Sequence, residues 1–170
     1  MLGKLEQITN TLVGNEREYS LEERVFNSVA LLNGITNILG LVAILNLHMA
    51  HYLFFTQLIA GILFLLCYYF SRFSKMTDHL RWPFIFITCV FVFLSAIYKG
   101  GLMGGSHYYI FPAIIISIIF SKTLQDYVFS FCFFAAMEMG LVYISAYFPN
   151  WITPYENAHE QMVDLSLIHI

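Results

Sequence analysis

The chain has 170 residues, of which 59% are hydrophobic, 18% aromatic and only 11% charged, with a formal net charge of −3 at pH 7. A soluble globular chain carries about 25% charged residues, so this composition excludes a soluble core and marks an integral membrane protein. The small acidic balance and the lack of a basic cluster exclude a nucleic-acid surface.

The N-terminal 24 residues contain Glu6, Glu16, Glu18, Glu22 and Glu23 and lack the 7–15-residue apolar core of a secretory signal. Leu2, Leu5, Ile8, Leu12 and Val13 recur at helical spacing. Segment 1–20 therefore reads as an amphipathic helix on the cytoplasmic membrane surface, or as a frayed terminus. Ser20-Leu21-Glu22-Glu23 has the form of a capping box, which predicts a helix start near Leu21. The first span, 25–46, is unusually polar, with Asn27, Asn33, Thr36 and Asn37. Asn33 and Asn37 are four apart and share a helix face. They serve either interhelical hydrogen bonds or the lining of a binding site.

The second span, 51–70, ends in the interfacial aromatics Tyr68-Tyr69-Phe70. Thr77 or Asp78 is placed to cap the next helix, with Pro83 in its first turn. The third span is 80–98. Lys99-Gly100-Gly101-Leu102-Met103-Gly104-Gly105-Ser106 then holds four of the ten glycines. Irregular backbone at a membrane surface must be buried in protein or face water. This turn is either a tight hairpin between helices or one wall of a pocket. A short fourth span, 107–120, contains Pro112, and a fifth covers 127–148. Thr153-Pro154-Tyr155-Glu156 again offers a helix start. The apolar end at 160–170 reads as a partial sixth span, cut off mid-membrane as in a fragment of a longer protein. The expected fold is an all-α polytopic helix bundle with five full spans plus the start of a truncated sixth.

Seven of the eight Lys and Arg residues fall on one side of this arrangement, and only Lys99 lies on the other. The positive-inside rule then places the N-terminus in the cytoplasm and the glycine turn outside.

Glu138 lies within the fifth span between Met137 and Met139. An ionisable side chain at that depth is functional by default. Interhelical hydrogen bonding, proton sensing, cation binding and anchoring of a ligand's polar group all fit it. Four of the six histidines, His48, His51, His107 and His159, gather on the outer side. Imidazoles with nearby Met49 and Met103 suit copper or zinc. No tight ligand motif exists, so no metal is assigned, and His48, His51 and His159 are the nearest candidates. Tyr108, Tyr109 and Phe111, with Tyr98 and Trp151, form either an interfacial belt or a rim around a lipophilic ligand. Cys67, Cys89 and Cys132 lie in apolar runs without CxxC spacing, as expected of reduced packing residues. No nucleophile elbow, phosphate loop or HExxH motif is present, so no catalytic residue is assigned.

The Ser20–Asn27 entry, the repeated spans and the Lys99–Ser106 turn together resemble the multi-pass N-terminal transmembrane sensor region of bacterial sensor histidine kinases. Related regions precede nucleotide cyclases. In such kinases an outer turn, often Asn-Gly-Gly-x-x-Gly, occupies this place; here Lys99 stands where Asn would be. The resemblance implies a sensor domain over 21–170 in a bacterial inner membrane, without enzymatic activity of its own. It would feed a cytoplasmic output unit of a two-component system, usually as a homodimer. Its small, lipophilic ligand would contact Glu138, His107, Tyr108, Asn33 and Asn37, under Gly101 and Gly104. The cofactor is unknown. The alternative is a small transporter or channel subunit with Glu138 on an ion path.

Overall fold

A computed structural model describes the backbone of residues 2–46 and 51–154. His48, His159, the Tyr155–Glu156 helix start and the partial sixth span lie outside the described residues, as does the His107 side chain. The described residues form six helices: α1 (Leu2–Val13), α2 (Leu21–Asn46), α3 (His51–Ser74), α4 (Thr77–Tyr98), α5 (Ile110–Phe120) and α6 (Leu124–Tyr147). Short 3-10 turns cover Gly101–Met103, Ser106–Tyr109 and Pro149–Trp151.

Four helices, α2, α3, α4 and α6, are long and apolar enough to cross a membrane. The expected fourth span divides into a 3-10 turn and α5. That helix has 11 residues, or about 16 Å, against a hydrocarbon core of about 30 Å. Pro112 sits in its first helical turn, where the missing N–H has no intrahelical partner to lose.

Two of the long helices, α2 and α6, begin at a capping box. At α2 the Glu23 amide donates to Ser20 Oγ (3.2 Å), and the Ser20 amide donates to Glu23 Oε2 (2.7 Å). The expected capping box is present. At α6 a second box closes between Thr123 and Asp126. It starts this helix three residues earlier than the apolar pattern implies. At α4 neither Thr77 nor Asp78 is the cap: Met76 holds that position without a side-chain bond. Because α4 begins at Thr77, Pro83 falls in its second turn rather than its first.

α4 is central and touches α2, α3, α5 and α6. One phenylalanine from each of four helices meets in the core: Phe26, Phe64, Phe84 and Phe120. Their ring centroids lie 5.1 Å (Phe26–Phe84), 5.1 Å (Phe26–Phe120) and 5.2 Å (Phe64–Phe84) apart. Apolar transfer gives little drive between helices already in lipid, so close packing must hold them. Small residues permit it along α2–α3. A Cβ added at Gly34 would lie 2.6 Å from Leu65 Cδ2, and one at Gly61 3.2 Å from Asn37 Cβ. A second cluster, Ile85, Cys89, Ile110, Ala113 and Phe134, joins α4, α5 and α6. Cys67 and Cys89 are buried as free thiols, whereas Cys132 is exposed on α6.

The basic residues collect at one end of the bundle, where α2, α4 and α6 begin and α3 and α5 finish. Arg81 bridges three elements there. Its Nη1 donates to the Phe120 carbonyl at the end of α5 (2.6 Å), and its Nη2 to Glu22 (2.8 Å). Lys122 Nζ pairs with Asp78 (2.7 Å).

Candidate functional site

Glu138 lies nine residues before the end of α6 at Tyr147, about 14 Å along the helix axis. It borders two spaces. On one side is a narrow apolar crevice against α4, walled by Cys89, Val92, Phe93 and Ala96. On the other is a lateral cleft of ≈ 390 Å³ between α5 and α6. Tyr108, Ile110, Phe111, Ile114, Phe131, Phe134, Ala135 and Glu138 line this cleft. Glu138 is its one carboxylate, and the Tyr108 hydroxyl its one other polar side-chain group. Among the described residues none donates a hydrogen bond or ion pair to Glu138.

The structure brings Glu138 and Tyr108 together. It places the other expected residues elsewhere. Asn33 and Asn37 sit on α2, where Asn37 Nδ2 donates to the Asn33 carbonyl (2.8 Å). Asn37 Oδ1 is buried without a partner among the described residues. The α3 backbone at Gly61 comes close to the Asn37 side chain, so this polar face serves helix approach.

Gly101 and Gly104 are buried and line neither space around Glu138. Gly101 has φ +60°, and a Cβ there would meet Ile152 Cδ1 at 2.7 Å. The Gly100 amide donates to the Thr153 carbonyl (3.0 Å), and the Thr153 amide to the Ile97 carbonyl (3.0 Å). The glycine turn therefore seals against the segment that follows α6.

His51 is exposed at the start of α3. Among the described residues no group of three or more His, Cys, Asp or Glu could hold a metal ion. Of the residues read as a belt or a rim, Tyr108 and Phe111 line the cleft, and Tyr98 and Trp151 fall in two separate stacks. Tyr98 stacks on Tyr52 at 5.9 Å, and Trp151 on Phe148 at 5.0 Å. Both fit the interfacial belt.

A polar junction at the basic end joins residues far apart in the sequence, so no local pattern marks it. Ser71 Oγ donates to Asn27 Oδ1 (2.6 Å) and shares a hydrogen bond with Thr77 Oγ1 (2.8 Å), all three residues being buried. The junction joins α2, α3 and α4. It continues into α1, whose final carbonyls accept from three side chains. Asn27 Nδ2 reaches Val13 (2.8 Å), Tyr68 Oη reaches Leu12 (2.8 Å) and Arg72 Nη2 reaches Thr11 (3.1 Å). These are the orphan carbonyls at the negative end of the helix dipole. Arg72 also lies over the Tyr19 ring, 4.7 Å from its centroid. The amphipathic N-terminal helix is thus tied to the bundle by its last turn. Arg72 was legible only as one charge of the basic side.

Comparison of the chain with protein-family models, curated proteins and solved structures finds no match.

Proposed function

We propose that the chain is the signal-input module of a bacterial inner-membrane receptor. The α5–α6 cleft receives a small lipophilic ligand, and the helix arrangement it biases is passed to an output unit in the cytoplasm. The observation that supports this reading is Glu138, an intramembrane carboxylate without a described partner, in a cleft bordered by the least embedded spanning helix. Only 17% of the apolar window of α6 is buried, against 39% for α4. A ligand shifts such a helix only by binding its two arrangements differently, and an ionisable group at the contact provides that difference. The resemblance to the sensor regions of histidine kinases supports the same role. The absence of a catalytic motif is consistent with signalling output supplied by another unit.

Native mass spectrometry of the protein purified in mild detergent tests the reading. A co-purifying small molecule is expected, and Glu138→Gln should lose it while helix content stays unchanged. Proteoliposome flux of Na⁺, K⁺ or H⁺ that disappears in the same variant would overturn it in favour of a transporter subunit.

A further inference from the structure

We infer that the occupant of the α5–α6 cleft is a lipophilic organic cation, an amine whose ammonium group pairs with Glu138 while its apolar body lies among the aromatic rings. The inference takes the cleft as the input site and assigns the chemistry of what enters it.

The lining decides between ligand classes. A hard inorganic cation needs six or more oxygen ligands for calcium, and close to octahedral oxygen coordination for magnesium. The cleft offers one carboxylate and the Tyr108 hydroxyl. An anion would face the Glu138 carboxylate with no cationic side chain in the lining. A wholly apolar occupant would exclude water from that carboxylate and leave it unpaired, at a cost of several kcal/mol. An organic ammonium needs a single counter-charge, and the cleft holds one.

The surrounding side chains suit the rest of such a molecule. Phe111, Phe131 and Phe134 line the same space, and aromatic faces attract a desolvated cation. At ≈ 390 Å³ the cleft is at the lower end of small-molecule sites, which run from about 300 to 1,000 Å³. Phe111 of α5 and Phe131 of α6, which line it, are both exposed, so the cleft opens on the outer surface of these two helices. A lipophilic amine can therefore arrive through the bilayer, where it partitions from water.

The test uses the full chain in phosphatidylcholine nanodiscs, with empty nanodiscs subtracted to remove partitioning. The probes are 1-naphthylmethylamine and its neutral counterpart 1-naphthylmethanol, followed by naphthalene fluorescence. The amine should bind the unaltered chain at least tenfold more tightly than the alcohol. In Glu138→Gln that preference should fall to within twofold, and Glu138→Asp should retain part of it. Equal binding of amine and alcohol overturns the cation assignment and leaves the cleft as an input site for neutral ligands. Binding of neither probe overturns the cleft as an input site for molecules of this size. An amine preference unchanged in Glu138→Gln places the cation elsewhere and also overturns the proposal. The amine-to-alcohol ratio on the unaltered chain needs no variant, so it stands even if Glu138→Gln fails to fold.

Discussion

The two ends of the bundle are built differently. At the basic end, side chains from α2, α3 and α4 meet in the Asn27–Ser71–Thr77 junction, and the ends of α1 and α5 are held by Arg72 and Arg81. At the glycine end two backbone hydrogen bonds, Gly100 to Thr153 and Thr153 to Ile97, tie the turn to the segment after α6. Between them lies Glu138, on the helix that packs least. The difference teaches where the bundle can yield. A junction of interlocked side chains has one arrangement, because a shift of any helix strands a polar group in a low-dielectric interior. A lateral cleft between a short helix and a weakly embedded one can change width without stranding anything. On the proposed sensor reading, motion driven by a ligand belongs to the α5–α6 side, with the basic end as its fulcrum.

The strongest way to break this contrast is to dissolve the rigid end. Phe84 contacts Phe26, Phe64 and Phe120 at once. Phe84→Ala removes the shared ring and should cost about 3 kcal/mol, the low end for a buried Phe-to-Ala change, because lipid already solvates part of what water would not. Equilibrium unfolding in mixed micelles measures it. A loss below about 1 kcal/mol would mean that the four-ring cluster does not hold the helices.

Ser71→Ala comes next. It leaves Asn27 Oδ1 without its donor and removes one partner of Thr77. A buried group left unsatisfied costs about 1–3 kcal/mol, while intramembrane hydrogen bonds average about 0.6 kcal/mol. The expected loss is about 1 kcal/mol, with α1 amides exchanging faster because Asn27 also holds the Val13 carbonyl. Unchanged exchange in α1 would separate the junction from the N-terminal clamp.

Gly101→Ala probes the other end. At φ +60°, with Ile152 beneath it, any side chain is strained. The expected cost is about 1–2 kcal/mol. Hydrogen exchange should increase at residues 149–153 and leave the basic end unchanged. A uniform increase across the bundle would show that the two ends are one cooperative unit.

The sequence made some of this plain and hid the rest for identifiable reasons. Ser20-x-x-Glu23 announces the start of α2 because both halves of the box are local. Thr123-x-x-Asp126 carries the same signal. It stands among the charged residues Lys122 and Asp126, ahead of the apolar run that marks the fifth span. Thr77 looked like a cap, but its hydroxyl belongs to Ser71, and Ser71 in turn bonds Asn27, 44 positions away. Spacing along one helix cannot show such a partner. Asn33 and Asn37 share a face because they are four apart on α2. That Asn37 meets α3 depends on the close approach of that helix at Gly61, a property of packing. Glu138 and Tyr108 could be named for their depth and chemistry. Their meeting in one cleft depended on α5 being short, which leaves Tyr108 in the turn before that helix and lining the same space as Glu138.

The two capping boxes give the finest test of the contrast, because the same chemistry begins a firmly packed helix and a weakly packed one. Replacing an N-cap Ser or Thr by Ala costs about 1 kcal/mol. In α2 the first turns are fixed by the buried Phe26 and Asn27, so Ser20→Ala should lower global stability by that amount without local fraying. In α6 the first turn carries exposed Leu124 and Tyr127, and Ser130 is the first residue buried. Thr123→Ala should therefore fray residues 124–127, seen as faster amide exchange there, and shift the unfolding midpoint by less than half as much as Ser20→Ala. Equal shifts in both variants would mean that α6 is coupled to the core as tightly as α2. The α5–α6 cleft would then be a fixed groove rather than the side of the bundle that moves.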